Sequence, residues 1–171
     1  MKSYHKLLVI SDVAVIPLPD FKQKMKQIGY LSATANLLGI TTPKIACIAP
    51  SEQVLPNVIS STEGALLAKM GDRGQLGNVI IDGPLSLDVA LYKEVAEHKK
   101  VRGSSVAGDP DCLLFPNLES ANVFFKSVSH LCGGELAAMV MGTKVPCVLT
   151  SRGDTSKTKL FSIALACLAA K

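Results

Sequence analysis

Charge is scarce in this chain, and the charge it has never gathers. Of 171 residues only 19% are charged, against 48% hydrophobic. That balance excludes a disordered polyelectrolyte and leaves ample material for one domain, residues 1–171, with a sizeable core. The formal net charge is +4, and the longest basic run is His98-Lys99-Lys100. Nucleic-acid binding needs a concentrated basic face, so none is expected, whereas a mild positive balance suits a small anion. No uncharged apolar stretch approaches spanning length, and no membrane segment is expected. Leu7-Leu8-Val9-Ile10 after Met1-Lys2 imitates a signal peptide, but Asp12 interrupts it and no small-x-small site follows before Pro17-Leu18-Pro19. The five cysteines (Cys47, Cys112, Cys132, Cys147, Cys167) form no C-x-x-C pair and have no histidine at metal spacing. In apolar surroundings they are expected to be buried, reduced thiols of a cytoplasmic protein.

What is present is alternation. Residues 6–11, 44–49, 78–81, 112–115 and 145–150 are apolar runs of strand length, each followed by a turn or a helical pattern. Asp20 is placed to cap a helix in which Phe21, Met25, Ile28, Ala35 and Leu38 recur up to Gly39, with Lys22, Lys24 and Lys26 as its solvated face. Further helices are expected over 61–70, 87–96 and 119–131, the last broken by Gly133-Gly134, with a short one over 135–141. Gly71 to Gly77 is rich in glycine and carries Arg73, but it lacks G-K-[ST] and precedes a strand, so it reads as a helix end and turn. Thr155 is expected to cap a final helix over 155–170. Between Leu160 and Leu168 that helix leaves scarcely any polar face, and a helix apolar all round is expected to be buried on most sides. The alternation predicts an α/β fold, three layers with a largely parallel sheet between helices.

The pattern is most pointed near the end. Val145-Pro146-Cys147-Val148-Leu149-Thr150 runs into Ser151-Arg152-Gly153-Asp154-Thr155, which reads as strand, polar turn and helix. Ligands of open parallel sheets lie outside the carboxyl ends of strands, and a helix start offers unpaired N–H groups to an anion. Arg152 adds a permanently charged planar fork. Together with Asp82-Gly83-Pro84-Leu85-Ser86-Leu87-Asp88, Val106-Ala107-Gly108-Asp109-Pro110-Asp111 and the stretch from Phe115 to Lys126, these motifs resemble the phosphate acetyl/butyryltransferase family, its butyryl members more than its acetyl ones. The resemblance runs from about His5 to the end and covers only the second half of such enzymes. It implies an isocitrate/isopropylmalate-dehydrogenase-like half, in which such a domain faces a second one across a cleft and the final helix returns toward the first domain.

The implied reaction is acyl-CoA plus inorganic phosphate giving acyl phosphate plus coenzyme A, by direct attack. Coenzyme A is then a substrate, and neither a metal nor another cofactor is expected. Ser151 and Arg152 match the family's Ser-Arg pair. Arg152 would hold the phosphoryl group or polarise the carbonyl oxygen, and Ser151 would bond the thiol sulfur or a phosphate oxygen. Gly153 and Thr155 would offer backbone N–H groups to the anion. Asp154 is either the base toward the thiol or a cap beside Thr155; acetyl members place an acid further on, where this chain has Thr158. Asn122 and Lys126, one turn apart on a helix, would present an amide and an ammonium to phosphate, and Asp82 leaves the end of the third strand. Asp82, Asp88, Asp109 and Asp111 flank two turns without a matching histidine, and caps and turn formers are the reading for Asp88 and Asp109. A two-fold homodimer is implied as well. From other classes, a non-catalytic CoA- or phosphate-binding domain and a dimerisation module remain alternatives.

Overall fold

The computed structural model describes residues 4–170, and their contacts divide into two units: residues 6–124, and residues 4–5 with 125–170. The first contains β1 (Val9–Ser11), α1 (Phe21–Leu37), β2 (Lys44–Ile48), α2 (Ile59–Asp72), β3 (Ile80–Leu85), α3 (Leu87–Leu91), α4 (Lys93–His98), β4 (Cys112–Leu114) and the start of α5 (Leu118–His130). The second holds the rest of α5 and α6 (Ser156–Ala169). All four strands are parallel, in the order β1-β4-β2-β3, as the alternation of strand and helix predicts.

Period-two alternation sorts the strand residues between two helical layers. Ile45 and Cys47 of β2, with Cys112 and Leu114 of β4, join Ile28, Leu31 and Ala35 of α1 and Leu67 of α2 in one apolar cluster. Ala46 and Leu113, paired across the sheet, point the other way, and α3, with Val89 and Ala90 buried, packs against β2. β4 lies between two strands and under both layers, and its three residues are almost wholly buried.

Polar bonds fix the elements at both ends. Asp20 caps α1 in a reciprocal box: Gln23 N–H donates to Asp20 Oδ1 at 2.7 Å, and Asp20 N–H to Gln23 Oε1 at 2.8 Å. At the amino ends of the strands, Lys6 Nζ reaches Asp109 at 2.8 Å and Asp111 at 2.7 Å, while Lys44 Nζ reaches Asp109 at 2.7 Å. Asp111 also accepts the Lys44 N–H at 2.8 Å. Partial burial pulls the Lys6 ammonium down, but its bonds to the two carboxylates prevail and hold its pKa above the ordinary lysine value.

Several expected elements take another form. β3 continues through Asp82-Gly83-Pro84 to Leu85, so Asp82 sits inside the strand. The helix expected over 87–96 is two helices parted at Tyr92, because Gly108 N–H donates to Ala90 O at 2.9 Å and takes the carbonyl that the next turn would use. Lys24 is not solvated but buried, paired with Glu63 of α2. The glycine-rich segment after α2 is a turn with positive φ at Gly74 and Gly77.

In the second unit, α5 ends as the glycines predict: Gly133 takes a φ of +61°, and Gly134 N–H donates to Val128 O at 2.8 Å. No helix forms over 135–141, because its donors are taken elsewhere: Ala138 N–H by Ser162 Oγ at 3.0 Å and Val140 N–H by Cys147 O at 2.8 Å. Nor do residues 145–150 form a parallel strand. They contribute one antiparallel bridge, Val140 to Cys147, and leave Val145 and Leu149 exposed. Cys132, Cys147 and Cys167 are exposed, not buried; Cys47 and Cys112 are buried as expected. α6 forms as predicted, but it is not buried on most sides: within it only Ser162 is fully enclosed.

Candidate functional site

Residues 151–155 form a tight polar turn that delivers the chain into α6. Ser151 N–H donates to Asp154 Oδ2 at 2.7 Å, Asp154 N–H returns to Ser151 O at 3.1 Å, and Gly153 N–H approaches Ser151 Oγ at 3.4 Å. Thr155 is the N-cap, its hydroxyl accepting the Thr158 N–H at 3.1 Å. The two readings of Asp154 thereby gain a third partner in the same turn: the carboxylate holds the Ser151 N–H, and Thr155 alone caps the helix. Arg152 lies exposed at the apex, with no ion pair among the described residues. The strand that was to precede the turn is absent, so the local geometry is turn and helix start, a fixed cation beside the positive end of a 14-residue helix.

The other expected residues lie elsewhere. Asn122 does not extend a free amide: its Nδ2 donates to Val13 O at 2.9 Å. It thus holds the loop after β1, where the Asp12 carboxylate accepts the N–H groups of Ala14, Val15 and Ile16 at 3.0, 3.1 and 2.8 Å. Lys126, one turn on, places its ammonium 4.6 Å from the centre of the Phe125 ring. The Asp82 carboxylate accepts its neighbour's N–H, from Gly83, at 2.8 Å. Asp82 stands on β3 and Asn122 is tied to the loop of β1, opposite edges of the sheet, so these two are not brought together. Asp109 and Asp111 belong to the lysine network at the amino ends of the strands. Asp88 bonds Lys99, the residue that closes α4, at 3.0 Å.

Sequence reasoning missed the pocket at the carboxyl ends of β2 and β4. Lys24 and Glu63 line it, with Cys47, Gly64, Leu114 and Phe115. The signal was available: Lys24 precedes Ile28 by four and Leu31 by seven, so it falls on the buried stripe of α1. Its side chain is 6% exposed and that of Glu63 19%, so each charge is largely desolvated and depends on the other. Burial, reinforced by the Asp82 charge and opposed by Lys24, pushes the Cys47 thiol up to about 12.

Comparison with known proteins adds a family to this geometry. Residues 1–167 match the model of the phosphate acetyl/butaryl transferase family. A phosphate butyryltransferase of Clostridium beijerinckii is 43% identical over 170 residues, which are 99% of this chain and 56% of that protein. A phosphate acetyltransferase of Thermotoga maritima is 40% identical over 158 residues, 92% of this chain and 53% of that protein. Among solved structures, a branched-chain phosphotransacylase from Enterococcus faecalis superposes with a TM-score of 0.86 at 29% identity, covering 94% of this chain and 57% of that one. The chain spans about half the length of the relatives it matches. Its sequence match, its parallel α/β sheet and its Ser-Arg turn together make it a member of the phosphate acetyl/butyryltransferase family.

Proposed function

We propose that this chain carries the Ser-Arg turn of a phosphate acyltransferase, which interconverts acyl-CoA plus phosphate and acyl phosphate plus coenzyme A, with butyryl or a similar short chain as the acyl group. The observation that carries the reading is Arg152, exposed and unpaired among the described residues, on a turn rigidified by Ser151 and Asp154 at the start of α6. A phosphate oxygen attacks the thioester carbon, the carbonyl oxygen gains negative charge, and the C–S bond breaks to release the thiolate, which takes up a proton. Two anionic reactants must be held together while an oxyanion forms, work suited to a guanidinium and a helix start. Attack is direct, so no residue need carry the acyl group, and Cys147 is not assigned a role. Asp154 already holds the Ser151 N–H, so in this reading it shapes the turn that aims Arg152. Coenzyme A is a substrate, and the reaction as written calls on no resident cofactor or metal. In this reading the partners are small anions, acyl-CoA or coenzyme A and phosphate, not nucleic acid or a membrane, and the expected setting is a cytoplasmic homodimer.

The test is release of free coenzyme A from butyryl-CoA and phosphate, measured with this chain and with the portion that longer relatives carry supplied alongside. Arg152→Ala should lower turnover by a factor on the order of 100 or more, as lost oxyanion donors do. Unchanged turnover in that variant would remove the reading.

A further inference from the structure

The loop after β1 is apolar along its length and fastened at its base. Val13-Ala14-Val15-Ile16-Pro17-Leu18-Pro19 is seven apolar residues in a row, outside any helix or strand, and Ala14, Val15, Pro17 and Leu18 of these are exposed. An exposed apolar run of that length is unfavourable in water unless something rests on it. The loop is nevertheless held in one shape. Asp12 spends its carboxylate on the N–H groups of Ala14, Val15 and Ile16. Two further bonds tie the loop along the first turns of α5: Leu118 N–H donates to Pro17 O at 3.0 Å, and Asn122 Nδ2 to Val13 O at 2.9 Å. Asn117 steadies that helix start, its Oδ1 accepting the Ser120 N–H at 2.9 Å. On this frame Val15 is 61% exposed, Leu18 76%, and Val123, the neighbour of Asn122, 65%.

We infer that this lip is the subsite for the acyl chain, in which the hydrocarbon of a short-chain acyl-CoA rests on Val15 and Leu18 beside Val123, and Asn122 is a positioning residue that holds the loop to receive it. The assignment rests on the acyltransferase reading. Place agrees with it: β1 and its parallel neighbour β4 both end here, and open parallel sheets take their ligands outside the carboxyl ends of the strands. Size agrees as well, since three large side chains fall far short of the roughly 800 Å² that each partner buries in a stable protein interface, yet suit a chain of a few carbons. A hydrocarbon also asks for no hydrogen bonds, and the Asp12 carboxylate is already occupied by the loop's own backbone. Val54 and Ile59 are exposed too, but they stand on the segment after β2, with β4 between it and β1.

The test has a binding arm and a kinetic arm, both with the portion that longer relatives carry supplied alongside the chain. In methyl NMR, butyryl-CoA should shift the Val15, Leu18 and Val123 methyl signals, and coenzyme A alone should leave them in place. In the coenzyme A release assay, Val15→Asn and Leu18→Gln should each lower kcat/KM for butyryl-CoA relative to acetyl-CoA by a factor on the order of 10, the usual scale for methylene discrimination. Both positions are exposed, so circular dichroism should be unchanged. Asn122→Asp keeps the shape but cannot donate to Val13 O, and it should lower the same ratio; a merely structural role would lower both substrates equally. Methyl shifts without any turnover would sink the acyltransferase reading and leave the subsite standing. Shifts no different from those with coenzyme A alone, or a butyryl-to-acetyl ratio unmoved by Val15→Asn and Leu18→Gln, would overturn the subsite and leave that reading intact.

Discussion

Gly83 of β3 lies against Cys47 of β2 so closely that a β-carbon on Gly83 would stand 2.6 Å from the Cys47 β-carbon, 3.2 Å from the Cys47 carbonyl oxygen and 3.3 Å from that of Gly64. Neither backbone oxygen can swing away, so the contact fixes how closely β2, β3 and α2 approach. Gly83→Ala should therefore destabilise by about 1–3 kcal/mol, the usual cost of overpacking a close-packed interior. Because the atom struck is the β-carbon of Cys47, Cys47→Ala should give no rescue, while Cys47→Gly should recover part of the loss. Urea denaturation of the three variants measures this; a Gly83→Ala protein as stable as the parent would contradict the packing described.

The same burial governs the thiols. Cys47 is pushed up to about 12 by desolvation and the Asp82 charge, and Cys112 likewise to about 12 by desolvation and Asp111. A thiol reacts as its thiolate, so both should be inert near pH 7. An aromatic disulfide reagent should titrate three thiols in the native protein, Cys132, Cys147 and Cys167, and all five only after denaturation. Modification of Cys47 by mass spectrometry at native pH would count against the core as described.

Lys24 and Glu63 bind charge to charge in the pocket between α1 and α2, away from most water. Removing one partner leaves the other desolvated and alone, so Lys24→Met or Glu63→Gln should each cost about 3 kcal/mol. Replacing both with apolar residues of similar volume should cost much less than the sum of the two single changes. A double-mutant cycle in chemical denaturation reads the coupling directly. Additive effects would mean that the pair does not act as one.

Where sequence and structure agree, the determinants are local. The box at Asp20 and Gln23 spans three residues, Thr155 caps the next turn, and Gly133-Gly134 cannot continue a helix. Where they part, the deciding partner is distant. Val13, whose carbonyl claims Asn122, is 109 residues away. Lys44, which meets Asp111, is 67 away. Glu63, which draws Lys24 inward, is 39 away. The pattern of 145–150 is that of a strand, but a strand needs hydrogen-bonding neighbours, and the described residues give it one bridge. The Ser151–Thr155 turn was legible as a unit because its bonds close within a few residues. What Arg152 faces was not, since nothing local to the turn engages it.

Asp88 gives a pH prediction of definite sign. Bonds with Ser86 and with Lys99 hold its carboxyl down to about 2, against an ordinary 3.8. The unfolded chain therefore takes up this proton first as the solution is acidified. The stabilisation from the Asp88 carboxylate is present in full above the ordinary carboxyl value and is lost as pH falls through about 2. Lys99 also reaches Glu52 at 3.5 Å, so it ties the β2–α2 loop to the start of α3. Asp88→Asn should lower Tm at neutral pH and flatten its acid dependence below about pH 4, and Lys99→Met should flatten that dependence only in part, because the Ser86 bond to Asp88 remains. Asp88 is about half exposed, so the shift should shrink as salt is raised. Scanning calorimetry from pH 7 down to about pH 2 at low and high salt would show it; an acid limb identical in the parent and in Asp88→Asn would mean that the contact contributes nothing in solution.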